Sequence, residues 1–227
     1  MMELELDMGR VITIDGPAAS GKTSVSRELA RRLGWNWVST GAFYRGLAYT
    51  AYRLKYDLQD EEKLAQLSMS NKWRIEMTES KTRVLFADED VTDDIATEEV
   101  GSVASQISRL PKVRDSLLGG QRDCRARTEG LIAEGRDCGT IVFPDAEVKI
   151  YLTARSEDRA ARRAKELGTS ESETIAAQQI RDKQDSSRKA APLTIPEKAF
   201  VVDSSKLSFD EVVSKVEVFV RKELKKN

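Results

Sequence analysis

The stretch of sequence that decides the fold is Val11-Ile-Thr-Ile-Asp-Gly-Pro-Ala-Ala-Ser-Gly-Lys-Thr23. Its opening run, Val11–Ile14, is rich in β-branched residues, which predicts a buried strand leading into a glycine-containing loop. After the loop, apolar side chains recur every four residues, and Gly34 stands where a left-handed cap would end a helix. The sequence therefore predicts a strand, a glycine loop and a helix from about Lys22 to Leu33.

Four further short apolar runs predict additional strands of the same sheet. Helical stretches separate these runs, an arrangement that is typical of parallel strands joined by crossover helices. A final helix is predicted from a capping box, Ser208 with Glu211, followed by an apolar stripe. We therefore predict a three-layer α/β fold with a five-stranded parallel sheet. The four runs are Trp35–Val38, Leu131–Ala133, Val148–Leu152 and Phe200–Val202, and the stripe comprises Phe209, Val213, Val216, Val220 and Leu224.

Two segments interrupt this α/β pattern. Between about residues 65 and 105, the runs Trp73–Met77 and Arg83–Phe86 predict a hairpin, which indicates a small inserted subdomain. The polar stretch Gly168–Thr174 lies between two charged helical stretches and predicts a mobile hairpin. The predicted division is a first core part at 1–64, an insert at 65–105, and a second core part at 106–227.

Composition excludes several classes of function. The chain carries 37 Lys and Arg against 38 Asp and Glu, so no overall positive field would attract nucleic acid or a membrane surface. No apolar run approaches a membrane span and the acidic start lacks the features of a signal peptide, so we expect a cytoplasmic protein. The absence of histidine excludes histidine-based catalysis and His-ligated metal sites. Cys124 and Cys138 are too few for a disulfide framework and are expected to be reduced thiols.

The glycine loop predicts a phosphate site, because Gly16–Thr23 matches the pattern GxxxxGK(S/T) between a strand and a helix. Its glycines let backbone N–H groups turn inward, and the start of the helix adds positive potential. Lys22 is predicted to reach the β- and γ-phosphates of a bound nucleotide, and Thr23 to offer its hydroxyl to Mg²⁺. The residues expected to cradle the phosphates are Gly16, Pro17, Ala18, Ala19, Ser20, Gly21, Lys22, Thr23 and Ser24.

Two groups of charged residues at helical spacing follow the fourth strand. Each group would occupy one helix face, and such a face is often simply solvated, with Asp158 and Glu166 as possible partners. Guanidinium groups also neutralise the charge that develops during phosphoryl transfer, and a closing lid excludes water. The two groups therefore predict a lid at about residues 155–188. The first comprises Arg155, Arg159, Arg162 and Arg163, and the second Arg181, Asp185 and Arg188.

Five segments together carry a family resemblance. They are Ile12-Thr-Ile-Asp-Gly-Pro17, Ser39-Thr-Gly-Ala-Phe-Tyr-Arg45, Ala104-Ser-Gln106, Glu134-Gly-Arg-Asp-Cys-Gly-Thr140 and Arg188-Lys-Ala-Ala-Pro-Leu193. These segments fall in the same order as in the bacterial cytidylate kinases, and nearly the whole chain resembles that family. The resemblance implies a P-loop kinase fold, with 65–105 as the nucleoside-monophosphate-binding insert and about 155–188 as the helical lid. It also implies a monomer that transfers the γ-phosphate of ATP to CMP or dCMP with Mg²⁺.

The resemblance also implies roles for individual residues. Catalysis would fall to Lys22, Arg136, Arg159, Arg163, Arg181 and Arg188, with Arg162 on the ATP side. The acceptor phosphate would be bound by Arg45, Arg136, Arg181 and Arg188, with Thr40, Tyr44 and Asp185 placing phosphate and ribose. The base would be read by Ser105, Arg114 and Asp137. Three departures from the family pattern are Thr40 for Ser, Glu134 for Asp, and Gly-Lys-Thr-Ser for Gly-Lys-Gly-Thr, the last of which leaves the magnesium role of Thr23 open.

Cytosine preference has a physical rationale in this set. Cytosine presents an N4 amine donor where uracil presents a carbonyl acceptor, so the Asp137 carboxylate would accept from the first and repel the second. Arg114 could complement it at N3 or O2. The alternative for Asp137 is a surface carboxylate paired with a nearby arginine.

Two other functions fit parts of the sequence. A P-loop kinase that phosphorylates a hydroxyl would need a carboxylate base, such as Asp15 or Asp137, whereas a nucleotide phosphate is already an anionic nucleophile. A nucleotide-dependent switch of the GTPase type should carry an NKxD signature, and Asn71-Lys-Trp-Arg74 has arginine where the aspartate belongs.

Overall fold

The computed structural model describes residues 9–78, 80–168, 170, 175 and 193–226. In chain order its strands and helices are β1 (Arg10–Asp15), α1 (Lys22–Leu33), β2 (Asn36–Ser39), α2 (Thr40–Arg53), α3 (Glu61–Ser68), β3 (Trp73–Met77), β4 (Thr82–Phe86), β5 (Glu89–Asp90), α4 (Glu98–Ile107), α5 (Pro111–Ala126), β6 (Gly130–Gly135), β7 (Val148–Thr153), α6 (Ser156–Leu167), β8 (Phe200–Asp203) and α7 (Phe209–Leu224). A short 3₁₀ turn spans Asp94–Ala96, and a wide π-type turn spans Cys138–Val142.

The central sheet is parallel, in the strand order β2-β6-β1-β7-β8, which confirms all five predicted strands. Strand β1 lies in the middle, and its last residue, Asp15, is in register with Gly135, the last residue of β6. The loops that follow these two strands therefore leave the sheet side by side. In open parallel sheets this carboxyl edge is where ligands bind.

Two hydrophobic clusters cover the two faces of this sheet. Alternate residues of β1 belong to different clusters, with Val11 in one and Ile12 in the other, as expected for side chains that point to opposite faces. Helices α2 and α5 contribute to the cluster around Val11, and α1 and α7 to the cluster around Ile12. The predicted three-layer α/β architecture is therefore confirmed.

The two helices on the Ile12 face follow their sequence signals closely. Helix α1 has the predicted bounds, and Gly34 ends it in a left-handed conformation with φ of 66°. Helix α7 begins with the predicted capping box. The apolar stripe is wrong at Phe209, which is 48% exposed, whereas Val212 is buried. Side chains tilt toward the start of a helix, so a residue in its first position projects beyond the packed surface.

The small antiparallel sheet in the predicted insert contains β3, β4 and β5. The hairpin is confirmed, and β4 begins at Thr82, which pairs with Met77. Trp73 packs edge-on against Phe43 of α2, with ring centroids 6.4 Å apart, so the small sheet shares the hydrophobic cluster of α2. Helix α3 begins before residue 65 and helix α4 ends after residue 105, and the division into domains stays a prediction.

Candidate active site

The glycine loop lies between β1 and α1 at the carboxyl edge of the sheet. Gly16 packs directly against the neighbouring strand: a Cβ at this position would lie 2.0 Å from the carbonyl oxygen of Leu152, so only glycine fits. Gly21 precedes α1 with φ of 88°, which side chains rarely tolerate. These two glycines fix the path of the backbone, and the start of α1 points its N–H groups into the loop.

Three cationic side chains contact carbonyl groups of this loop. Lys22 Nζ donates to the carbonyl of Pro17 at 3.2 Å. Arg136 Nη1 donates to the carbonyl of Gly16 at 2.9 Å, and Arg159 Nη1 to that of Ala18 at 3.1 Å. The structure thus brings together three of the predicted catalytic residues, from α1, the segment after β6, and α6. Their charges and the helix start make the loop suited to bind an anion.

The other arginines of the first predicted lid group diverge. Helix α6 begins at Ser156, so Arg155 precedes it and forms an exposed ion pair with Asp158 instead of sharing a face with Arg159. Arg162 donates to the hydroxyl and the carbonyl of Ser204 at 3.0 and 2.7 Å. Arg163 forms an ion pair with Glu98 of α4.

Several predicted residues fall beyond the part of the chain that the structure describes. Helix α6 ends at Leu167, and Gly168 caps it with φ of 65°, which agrees with the predicted break at that glycine. Most of the predicted hairpin and the second part of the predicted lid follow this point. Arg181, Asp185 and Arg188 lie outside the described residues.

A hydroxyl and a carboxylate meet beside the loop. Thr23 Oγ1, at the start of α1, donates to the two carboxylate oxygens of Glu134 at 3.1 and 3.2 Å. Glu134 lies in β6 and is 3% exposed. Hard oxygen ligands of this kind suit Mg²⁺, which commonly uses one or two protein groups together with substrate phosphates and water. No cluster of three or more His, Cys, Asp or Glu side chains that could hold a metal occurs among the described residues.

From the sequence, Glu134 was noted only as a departure from the family pattern, and its contact with Thr23 was not predicted. The signal that could have identified it is its place at the end of a predicted strand. The carboxyl ends of neighbouring parallel strands share one edge of the sheet, so an acidic residue there faces the phosphate loop.

The predicted base-reading pair comes together directly after Arg136 in the chain. Asp137, after β6, and Arg114, in α5, form an ion pair in which both residues are more than nine-tenths buried. Arg114 also donates to the carbonyl of Ser108 at 3.2 Å and lies over the ring of Tyr44, 5.6 Å from its centre. Ser108 Oγ in turn donates to the carbonyl of Ser105 at 2.9 Å. Four of the predicted substrate-binding residues, Tyr44, Ser105, Arg114 and Asp137, therefore belong to one contact network.

Thr40 and Arg45 of α2 support the backbone around this network. Thr40 is buried, and its hydroxyl donates to the carbonyl of Glu134 at 3.0 Å. Arg45 Nη1 donates to the carbonyls of Ile95 and Thr97 at 2.6 and 2.9 Å, which places it at the start of α4. The predicted contacts of both residues with substrate stay predictions.

Asp15, the last residue of β1, is fully buried and accepts hydrogen bonds from the backbone N–H groups of Cys138 and Gly139, at 2.8 and 2.7 Å. Burial raises the pKa of Asp15 to about 6, against the lowering effect of these two N–H groups. The nearby charge of Asp137 adds to the rise in this pKa. With no exposed surface, Asp15 is poorly placed to serve as a base for a hydroxyl acceptor.

The two cysteines are buried and free, which agrees with the prediction of reduced thiols. Burial raises the pKa of Cys124 to about 12. Burial also raises the pKa of Cys138 well above its ordinary value, and the charges of Asp15 and Asp137 add to the effect. Neither thiol is therefore suited to act as a nucleophile.

In the described residues, no helix is both long and apolar enough to cross a membrane.

Comparisons with known proteins show the family to which the chain belongs. The family model for cytidylate kinase matches residues 12–222. A cytidylate kinase from Bdellovibrio bacteriovorus is 59% identical over 217 residues, which cover 96% of this chain and 100% of the relative. A cytidylate kinase from Neisseria meningitidis serogroup A is 43% identical over 219 residues, or 94% of this chain and 98% of the relative.

Among solved structures, an uncharacterized protein from Eubacterium ventriosum aligns with a TM-score of 0.50 at 11% identity, covering 93% of this chain and 98% of that chain. A likeness at this identity concerns the fold alone, and it agrees with the α/β architecture described above. The family model and the two relatives span nearly the whole chain and confirm the resemblance that the sequence motifs indicated. The protein belongs to the cytidylate kinase family.

Proposed function

We propose that the protein transfers the γ-phosphate of ATP to CMP or dCMP, giving ADP and CDP or dCDP. The observation that carries this proposal is that two candidate binding sites lie at the same edge of the sheet. The phosphate loop follows β1, the Arg114–Asp137 pair forms where the chain leaves β6, and these strands end in register. Arg136 joins the two sites, because it precedes Asp137 and donates to the carbonyl of Gly16.

The donor side would bind ATP through the loop Gly16–Ser24, with Lys22 on the β- and γ-phosphates. The buried hydroxyl oxygen of Ser20 has no hydrogen-bond partner in the described structure, so the loop has a side-chain group that can still form a hydrogen bond. Thr23 and Glu134 would hold Mg²⁺, which supplies charge neutralisation on the phosphates when bound. Arg159, buried against the loop carbonyl of Ala18, adds a fixed positive charge beside the phosphates.

The acceptor side would bind the pyrimidine nucleotide. Asp137 would accept a hydrogen bond from the cytosine N4 amine, and Arg114 would donate to N3 or O2. Uracil presents an acceptor to Asp137 instead of a donor and would be rejected by electrostatic repulsion. Arg45 and Arg136 would bind the acceptor phosphate, together with Arg181 and Arg188.

In the proposed reaction an oxygen of the acceptor phosphate attacks the γ-phosphorus of ATP, and the bond from this phosphorus to the β–γ bridging oxygen breaks. The electron pair of that bond leaves with ADP. The attacking oxygen is anionic at neutral pH, so no side chain has to remove a proton. This requirement agrees with a chain that has no histidine and with the burial of Asp15.

Steady-state phosphorylation with ATP and Mg²⁺ tests the proposal. CMP and dCMP should be the best acceptors in a panel that includes UMP, AMP and a set of small alcohols. The contradictory result is a hydroxyl acceptor that matches or exceeds CMP in kcat/KM. ATP hydrolysis without acceptor provides the control, and it should be far slower than transfer because only transfer has the bound nucleophile.

Three further assignments belong to the same proposal. They are the division into core, insert at 65–105 and lid at about 155–188, a monomeric state, and a cytoplasmic location. The packing of β3–β5 as a separate small sheet supports the insert. Size-exclusion chromatography with light scattering tests the monomer, which should elute with a mass near 25.4 kDa.

A further inference from the structure

The carboxylate of Asp15 reaches across from β1 to the segment that follows β6. Its Oδ1 accepts from the N–H of Cys138 and its Oδ2 from the N–H of Gly139. Both oxygens of one buried carboxylate are thus used by two consecutive backbone groups. These groups come directly after Asp137, the residue proposed to read the base.

The segment held in this way is a wide turn. In it the N–H of Val142 bonds to the carbonyl of Asp137 at 3.2 Å, and the N–H of Phe143 to that of Cys138 at 2.7 Å, five residues apart in each case. The first N–H groups of any helical turn have no partner within it, so an acceptor from elsewhere must satisfy them. Asp15 supplies that acceptor for Cys138 and Gly139.

Asp137 occupies the position just before the turn, where an aspartate would ordinarily accept a hydrogen bond from the turn's own backbone. Here the side chain of Asp137 makes no such bond. It forms the buried ion pair with Arg114 instead. The arrangement is consistent with competition between two carboxylates: because Asp15 satisfies the turn, Asp137 is released to face Arg114.

We propose that Asp15 is a positioning residue for base selection: it caps the turn at Cys138–Val142 from the neighbouring strand and thereby keeps the Asp137 carboxylate beside Arg114. This inference rests on the proposed function, in which Asp137 recognises cytosine. Asp15 itself contacts no substrate, because it is fully buried.

The close fit around Gly139 strengthens the assignment. A Cβ at this glycine would lie 2.8 Å from Thr13 Oγ1 and 3.2 Å from Asp15 Oδ2. The backbone can therefore approach β1 closely enough to donate to Asp15 only because residue 139 has no side chain.

Asp15→Asn is the principal test. The asparagine oxygen can accept from one of the two N–H groups, but its amide NH₂ faces the other, so one turn donor becomes available to Asp137. We expect the KM for CMP to rise about tenfold, and the preference for CMP over UMP in kcat/KM to fall about tenfold, as for one lost hydrogen bond to a charged group. The KM for ATP should stay within about twofold, because loop contacts such as that of Arg159 with Ala18 do not involve the Asp15 side chain.

Thr13→Val is the matched control. Thr13 lies on the same strand, is fully buried and would be 2.8 Å from a Cβ at the same Gly139, but its hydroxyl has no hydrogen-bond partner in the described structure. Valine has nearly the same shape, so this variant should keep the wild-type KM values and base preference. Thermal unfolding of each variant shows whether it is folded at the assay temperature.

Gly139→Ala should weaken the same hydrogen bonds by a change in the turn instead of in β1, since a Cβ would push the turn away from β1. It should reproduce the loss of preference for CMP over UMP. If Asp15→Asn does not fold, this variant tests the inference in its place. Wild-type preference for CMP in folded Asp15→Asn, or an equal rise in KM for ATP and CMP, would overturn the inference. Wild-type protein that does not phosphorylate CMP would instead overturn the proposed function.

Discussion

Helix α5 carries a buried arginine near each of its ends, and the two differ in their surroundings. Arg114, in the first turn, is 8% exposed and pairs with Asp137 at the carboxyl edge of the sheet. Arg125, in the last turn, is 9% exposed and contacts Asp145, Glu147 and the carbonyl of Gly9 at the amino edge. About 16 Å of helix separates them, at 1.5 Å per residue.

The difference lies in what remains available for binding. Arg125 has two carboxylate partners at 2.6 and 2.9 Å, and Glu147 also accepts from the N–H of Val11 at 2.6 Å, so the amino-edge groups are used within the protein. For Asp137, the only side-chain partner found in the described structure is Arg114. The same residue types thus stabilise the fold at one edge of the sheet and retain capacity for a ligand at the other.

The largest expected effect is at the carboxyl edge. Lys22→Ala should lower kcat by about 10³-fold or more, because it removes a charge from the transferring phosphoryl group. The midpoint of urea unfolding should stay close to wild type, because the bond of Lys22 to the carbonyl of Pro17 lies within its own loop. Steady-state kinetics with CMP measures the change, and wild-type kcat would refute the role of Lys22.

The pH dependence of stability separates the buried carboxylate Asp15 from the paired acids of the amino edge. No arginine or lysine hydrogen bond reaches Asp15 in the described structure, and its neighbours Asp137 and Cys138 offer no compensating positive charge. Its folded pKa of about 6 exceeds the ordinary aspartate value of 3.8, so the folded state binds the proton more tightly.

Ionisation of Asp15 therefore costs folding free energy. Its contribution to the free energy of unfolding should fall by up to about 3 kcal/mol as the pH rises from about 4 to about 6, and stay constant above that. Urea unfolding of wild type and Asp15→Asn at several pH values measures the difference between them. A wild-type minus variant difference that does not decrease across this window would contradict the assignment.

At the amino edge, Arg125→Met should reduce the free energy of unfolding by about 2 kcal/mol, because it removes the arginine partner of Glu147 and Asp145. The estimate is at the low end for such losses because the side chain of Asp145 is 66% exposed. The folded variant should keep wild-type kcat and KM. Asp145→Asn is the matched control and should cost less than 1 kcal/mol, roughly the value of an exposed pair. A large loss of kcat in folded Arg125→Met would remove the distinction between the two edges.

The smallest expected effect concerns base selection. Asp137→Asn keeps the shape of the side chain but adds a donor, so it can pair with either cytosine or uracil. The preference for CMP over UMP in kcat/KM should therefore fall about tenfold, the value of one hydrogen bond to a charged group. Unchanged preference in competition assays with both nucleotides would exclude Asp137 as the residue that reads the base.

Local patterns were enough to predict most of the fold. The bounds of α1, the five parallel strands, the hairpin β3–β4 and the capping box of α7 each depend on neighbouring residues. Two predictions were wrong because the residue lies at or just before the start of a helix, where its side chain does not follow the face predicted from helical spacing. They concern Phe209 at the start of α7 and Arg155 before α6.

The site was predictable as a set of residues but not as a set of contacts. Thr23 and Glu134 are 111 positions apart, and Asp15 is more than 120 positions from the N–H groups that it binds. Such pairings depend on the strand order β6-β1, which brings the ends of the two strands together. Helical spacing alone could not show that Arg163 would pair with Glu98 of α4.

The most direct measurement of the central claim uses an inhibitor in which adenosine and cytidine are joined through five phosphates. If the phosphate loop and the Arg114–Asp137 pair hold two nucleotides end to end at one edge of the sheet, this compound should compete with both ATP and CMP. Its uridine counterpart should bind more weakly, because Asp137 repels the uracil carbonyl. Competition with only one of the two substrates would contradict the account.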